Sequence, residues 1–277
     1  MTSTRARRTA LWIALLTALT ALAACTSSES SDSSDSSGEE DGPTPSRAVT
    51  AALRTVERST DAADSARVRS TTTVGSTLSM KAHGTLAWGD GLTGTLTITY
   101  TGGTTAETMR RLGTTSMEAR YLPDAYYARM GETFAEKADG KHWIKYAYDD
   151  LKNLAGSSGA DLADQMRGNT PHTSVKLLLS SRDVRKVGEE TLSGRRTTRY
   201  SGTVRVEGAT TQTVDIWVDD RDLLVKKVEQ GRTATGPLTQ TAYYSDYGVK
   251  AAVEKPPAGD TADLRDLLRR GAIGGAS

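Results

Sequence analysis

Met80-Lys81-Ala82-His83-Gly84-Thr85-Leu86-Ala87-Trp88, then Gly89-Asp90-Gly91, then Leu92-Thr93-Gly94-Thr95-Leu96-Thr97-Ile98-Thr99-Tyr100 is the stretch that decides the fold. On its first arm Met80, Ala82, Gly84, Leu86 and Trp88 alternate with Lys81, His83, Thr85 and Ala87. On its second arm Leu92, Gly94, Leu96, Ile98 and Tyr100 alternate with threonines 93, 95, 97 and 99. A period of two with a Gly-Asp-Gly turn between the arms predicts a β-hairpin with one apolar and one polar face. Gly84 and Gly94 fall on the apolar faces, where a missing side chain marks a bend or bulge, so the sheet is expected to curve.

Working outward, Thr44 with Pro45 can open a helix, and Val49, Leu53, Val56 and Ala63 then share a face. The expectation is an amphipathic helix from Pro45 to about Ala66 that packs on the sheet. Downstream, Ser116 to Tyr121 and Ala125 to Met130 read as strands joined by Leu122-Pro123-Asp124, and His142 to Tyr146 as another. From Leu151 to Ser180 the pattern is helical and irregular, with Pro171 opening a short helix that carries Val175, Leu178 and Leu179.

A second strand-rich half begins near Val184. Tyr200, Gly202, Val204 and Val206 alternate with Arg199, Ser201, Thr203 and Arg205; Val214, Ile216 and Val218 alternate with Thr213, Asp215 and Trp217. Asp219-Asp220-Arg221-Asp222 turns the chain into Leu223 to Glu229, and Thr239 to Tyr244 and Val249 to Val253 read as the last strands. Asp260 is placed to cap a closing helix with Leu264, Leu267 and Leu268 on one face. Strands in runs with helices at the ends and middle predict an α+β fold with a mostly antiparallel sheet.

Lys+Arg is 35 against Asp+Glu at 34, so no basic field argues for nucleic acid. Cys25 is the sole cysteine, so no intrachain disulfide forms and the body is held by its core.

The N-terminus accounts for that cysteine. Arg5, Arg7 and Arg8 precede an uncharged run from Thr9 to Ala24, centred on Leu11 to Leu16, shorter than the roughly 20 residues a spanning helix needs. Leu22-Ala23-Ala24-Cys25 has the form of a lipobox: small residues admit a peptidase, and the thiolate is the nucleophile that takes a diacylglyceryl group. Residues 1–24 are thus read as a lipoprotein signal peptide, and Cys25 as a lipid-bearing N-terminus, acylated further by a chain such as palmitate. Two or more chains make a stable anchor where one holds only marginally. Arg7-Arg8-Thr9 has a partial twin-arginine form without the usual following residues, which favours the general secretory route. Residues 25–43 form the lipidated cysteine and a serine-rich acidic tether (Glu29, Asp32, Glu39, Glu40 and Asp41) with no apolar residue to join a core. Residues 44–270 form the folded domain, and 271–277 a frayed tail. The expected location is the extracytoplasmic face of the cell membrane.

The second half carries a family resemblance. Val184 to Gly194 leads into Thr197 to Val204; Asp215-Ile216-Trp217-Val218-Asp219 and Leu223 to Lys227 follow; Tyr244-Ser245-Asp246-Tyr247-Gly248 closes, with Gly140 to Lys145 fitting the same pattern earlier. This order resembles the actinobacterial LppX/LprG-type lipoproteins and the wider LolA-like group, over Pro45 to about Leu268. The resemblance implies a half-open β-barrel with helices across its concave face. It also implies an apolar cavity and a role in binding or moving acyl-chain lipids or lipoproteins at the cell envelope. One Phe and many Thr imply a smaller or more polar inner face here. Candidate cavity residues are Leu86, Leu96, Ile98, Val204, Val214 and Ile216, each of which serves equally as core.

No enzyme assembles from these residues. His83, His142 and His172 lack metal-ligand spacing, and there is no Gly-x-Ser-x-Gly elbow or Ser-x-x-Lys with Lys-Thr-Gly. Asp149-Asp150 and Asp219-Asp220 sit at strand ends, where turns take Asp. Trp88, Trp143 and Trp217 read as packing, and Lys226-Lys227 as a solvated strand end. No cofactor or metal is expected. The leading reading is a membrane-anchored lipoprotein that binds an apolar lipid. The alternative is a non-enzymatic interaction or sensor lipoprotein on the same scaffold, its protein partner unspecified.

Overall fold

The computed structural model describes residues 46–154, 170–205 and 211–270. Leu22, Ala23, Ala24 and Cys25, the tether and the tail lie outside the described residues, as do Val206 and most of the helical stretch before Pro171.

Helix α1 (Arg47–Ala62) is capped by Ser46, whose hydroxyl accepts from the Val49 amide at 3.2 Å. The cap therefore falls two residues beyond Thr44. Leu53, Val56 and Thr60 are the helix's buried stripe. It also ends earlier than Ala66. Asp64 takes a left-handed φ of 58°, and Ser65 is already in β1 (Ser65–Val74). In β1 the exposed Arg67, Arg69, Thr71 and Thr73 alternate with buried Ala66, Val68, Thr72 and Val74, so the strand period prevails over the helical one.

The predicted hairpin is β2 (Leu78–Ala87) with β3 (Thr93–Gly102), paired Gly84 to Leu96 and Leu86 to Gly94. Helix α2 (Gly103–Arg111) links to β4 (Ser116–Tyr121) and β5 (Ala125–Arg129). The one-turn α3 (Glu132–Ala135), β6 (Trp143–Ala147) and α4 (Tyr148–Leu154) follow. Helix α5 (Pro171–Leu179) begins at the predicted proline. The second half is β7 (Arg185–Leu192), β8 (Arg195–Val204), β9 (Gln212–Asp219), β10 (Leu224–Thr233) and β11 (Gly236–Ser245). A 3-10 turn (Ala258–Asp260), β12 (Thr261–Asp263) and α6 (Leu264–Arg269) complete the described chain.

All twelve strands form one curved, unclosed sheet in the order β12-β6-β5-β4-β3-β2-β1-β11-β10-β9-β8-β7. The two halves of the chain join where β1 pairs β11, and the β12–β6 pair alone is parallel. Edge strand β7 is exposed and charged, with Glu189 bound to both Lys186 and Arg196, which discourages further strand addition.

Curvature has a local cause at the hairpin. Gly84 (φ 156°) and Gly94 (φ 140°) let β2 and β3 approach so closely that a Cβ would stand 2.0 Å from the Thr95 carbonyl oxygen and 2.2 Å from that of Thr85. The sheet bends round its apolar face, and α1 and α5 lie across it, burying Leu53, Val56, Val175 and Leu178 against it.

Three terminal expectations are corrected. Val249 to Val253 is not a strand: β11 is already flanked by β1 and β10, and this segment instead leaves the sheet, its start held by Ser65 Oγ donating to the Val249 carbonyl at 2.6 Å. The closing helix is capped by Asp263, which accepts from the Arg265 amide at 3.0 Å, because Asp260 is engaged by His142. On that helix Leu267 is buried but Leu268 is exposed.

Candidate functional site

The concave face is built from both halves of the chain. Leu86, Leu96 and Ile98 project from β2 and β3; Val204, Val214 and Ile216 project from β8 and β9 on the opposite wall. All six are at most 8 % exposed and belong to one apolar cluster with Leu53 and Val56 of α1 and Val175 and Leu178 of α5. The structure thus brings the predicted residues round one interior and packs that interior with side chains. Two surface pockets among the described residues, one along α1 and α5 and one beside α6, include none of the six.

Two features of this interior were not read from the sequence. The first is a row of tyrosines on the wall formed by β3 to β6. Tyr121 and Tyr126 meet edge-on with ring centroids 5.1 Å apart, and Tyr126 and Tyr146 lie 5.6 Å apart. Burial raises the phenols of Tyr121, Tyr126 and Tyr146 and pushes Tyr100, nearer the rim, up to about 12, so all stay neutral donors.

The second is a buried ion pair beneath α5. Lys227 is 5 % exposed, not a solvated strand end. Its ammonium donates to Ser174 Oγ of α5 at 3.0 Å and to Glu229 Oε1 at 2.9 Å. Burial pulls the ammonium pKa down, and neighbouring Tyr244 and Glu229 more than offset it, so the lysine stays charged. The signal was masked by the register shift between Leu224 and Lys226, which changes the face that each later β10 residue presents. Lys226 sits instead over the Trp217 ring at 4.0 Å.

The cover is fixed to the sheet at few polar points. Besides Lys227 and Ser174, the Leu224 amide donates to Thr60 Oγ1 of α1 at 3.2 Å. At the junction of α1 and α5, Trp88 Nε1 donates to the Asp61 carbonyl at 2.9 Å, and the His172 ring tilts against Trp88 at 6.2 Å. His172 Nδ1 is 3.3 Å from Asp61 Oδ1 but has no hydrogen bond aligned on it; burial lowers the pKa of this ring.

The remaining polar candidates are structural. His142 holds the C-terminal segment to β6: its amide and Nδ1 meet Asp260 Oδ1 at 2.8 and 2.7 Å, and Nε2 lies 3.3 Å from Glu132. These carboxylates raise its pKa. His83 is exposed. Asp219 shapes its turn by accepting from the Arg221 and Leu223 amides at 3.0 Å, as turn chemistry predicts. Asp149 and Asp150 lie in the first turn of α4, and Asp150 pairs with Arg265. Trp143 packs in a satellite cluster with Ala125 and Tyr127. Among the described residues no group of three or more His, Cys, Asp or Glu is placed to hold a metal ion.

The site is thus an open curved sheet roofed by helices, with its apolar interior shared between two halves of one chain. The solved structure of LprF from Mycobacterium bovis aligns with 78 % of this chain and 100 % of its own, at 14 % identity and a TM-score of 0.50, a likeness of fold. The chain belongs to the family of the Streptomyces coelicolor protein named "Putative lipoprotein SCO4650", to which it is 62 % identical over 285 residues, covering 97 % of this chain and 98 % of that protein. It is also 47 % identical over 246 residues to a Streptomyces griseus protein, named "Uncharacterized 31.2 kDa protein in rplA-rplJ intergenic region", covering 80 % and 81 % respectively. No family model matches the chain.

Proposed function

We propose that the protein is anchored through lipidated Cys25 on the extracytoplasmic face of the cell membrane, and that its half-barrel takes up an acyl-chain lipid or similar apolar ligand. The observation that carries this reading is the construction of the interior. An apolar face drawn from both halves of the chain is roofed by two helices and never closed by its own strands. An acyl chain entering it would leave water at about 25 cal/mol per Å² buried, with no bond to be made or broken. The packed interior of this structure is then the unliganded form, and uptake requires α5 to lift, drawing Leu178 out of the apolar cluster and Ser174 away from Lys227. The function is carriage or presentation and not catalysis.

The packing of the six candidate residues favours one second reading, an interaction or sensor lipoprotein whose interior is core only. Uptake of a fluorescent acyl-lipid probe by the purified chain separates the two. Stoichiometric uptake that a non-fluorescent acyl lipid displaces supports the carrier, and no uptake over a lipid titration supports the packed scaffold. The anchor is tested separately by palmitate labelling in cells. The label is expected on the wild type and lost in Cys25→Ser; equal labelling of both would overturn the assignment.

A further inference from the structure

The outer side of the helical roof carries a basic groove that the interior does not use. It measures about 680 Å³ and is lined by Ala51, Arg54, Thr55, Glu57 and Arg58 of α1 and by Lys176 and Leu179 of α5. Arg47, Arg54 and Arg58 recur at helical spacing along one exposed stripe, with Lys176 exposed across the groove. Glu57 is the sole carboxylate in the lining, and it is taken up by Lys176 at 3.3 Å. The Arg58 guanidinium lies back along the helix, on the Arg54 carbonyl at 3.3 Å and Thr55 Oγ1 at 3.4 Å. The guanidinium of Arg54 is not engaged by a carboxylate among the described residues. Positive charge beside the apolar Ala51 and Leu179 suits an anionic headgroup on an acyl chain.

The charge of the whole chain is segregated in the same sense. The tether holds six carboxylates, and the residues from Pro43 onward hold 32 basic against 28 acidic side chains. Helix α1 is the first described element, and it begins 22 residues after Cys25 in the sequence, so the groove lies on the part of the folded chain nearest the proposed anchor.

We propose that this groove seats on the anionic lipid headgroups of the membrane to which the protein is anchored, laying the α1–α5 roof against the bilayer. The proposal rests on the anchored, lipid-binding reading above and adds where the roof faces. Headgroup phosphates pair with Arg54, Arg58 and Lys176, and a roof held at the surface would open directly onto lipid.

The test uses the chain from residue 25 onward with Cys25→Ser, so that no anchor contributes. Co-flotation is measured with vesicles of phosphatidylcholine alone and of phosphatidylcholine with phosphatidylglycerol. The chain is expected on the anionic vesicles only, and less at high salt. Arg54→Gln with Arg58→Gln is expected to weaken binding roughly twenty-five-fold, about fivefold per cation removed near the surface. Both positions are exposed, so thermal melting should match the parent. Arg69→Gln with Lys81→Gln, on the outer face of the sheet, removes the same charge and should retain most of the binding. Equal flotation on neutral vesicles, an unchanged affinity in the groove variant, an equal loss in the control variant, or displacement by millimolar inorganic phosphate at constant ionic strength would each overturn the proposal. Probe uptake by the groove variant in detergent reads the interior independently, so a failed groove and a failed carrier give different results.

Discussion

Replacing Gly84 with alanine tests the physical origin of the curved sheet. The position has φ 156°, a conformation L side chains rarely adopt, and strain of this kind costs about 1–3 kcal/mol. The added Cβ would also stand 2.0 Å from the Thr95 carbonyl oxygen and 2.9 Å from the Leu96 Cα. Both are backbone atoms, so β3 must retreat by about 1.4 Å to reach ordinary contact, and overpacking of this sort costs roughly a further 1–3 kcal/mol. The expected loss is therefore about 2–6 kcal/mol, a large share of a domain stability of about 5–15 kcal/mol. The reciprocal Gly94→Ala meets the Thr85 carbonyl oxygen at 2.2 Å and should behave alike. Gly188→Ala is the control, because it meets nothing within 4 Å, and it should stay within about 0.5 kcal/mol of the parent. Urea unfolding followed by far-UV circular dichroism reads all three. A Gly84→Ala variant as stable as the Gly188→Ala control would refute this origin for the bend.

Lys227→Met should destabilise by about 3 kcal/mol, the low end for breaking a buried pair, because Glu229 keeps 14 % of its side-chain surface in solvent. Adding Glu229→Leu should restore most of that loss, and a double variant as unstable as the single would show that the pair is not what Lys227 contributes. His142 has a raised folded pKa, so its contribution is complete below the unfolded value of about 6.5 and fades as pH rises through the folded value. His142→Ala should therefore lose more stability at pH 5.5 than at pH 8.5, measured by thermal melts in matched buffers. Ser46→Ala removes the cap of α1 and should cost about 1 kcal/mol by the same urea assay, with the helical signal otherwise unchanged.

The hairpin was legible because its two arms keep strict alternation and its glycines interrupt the apolar face only where β2 and β3 approach most closely. The same rule read Ser116–Tyr121, and the fixed φ of Pro171 marked the start of α5. The rule failed at β1, whose buried face includes the polar Thr72 and whose start abuts a helix ended by a left-handed aspartate and not by a glycine. Lys227 was misread because a register shift moved it inward, which alternation counted from the sequence does not reveal. The division of interior residues between packed core and ligand contact was illegible for a different reason: a cavity and a core use the same side chains.

Native mass spectrometry with lipid extraction, on the protein purified from its own membrane, tests the central claim most directly. The account predicts an acyl lipid bound non-covalently at near-stoichiometric level and released when the chain unfolds. A protein that carries only the mass of its covalent anchor, and that remains free of lipid after exposure to membrane extract, would contradict it.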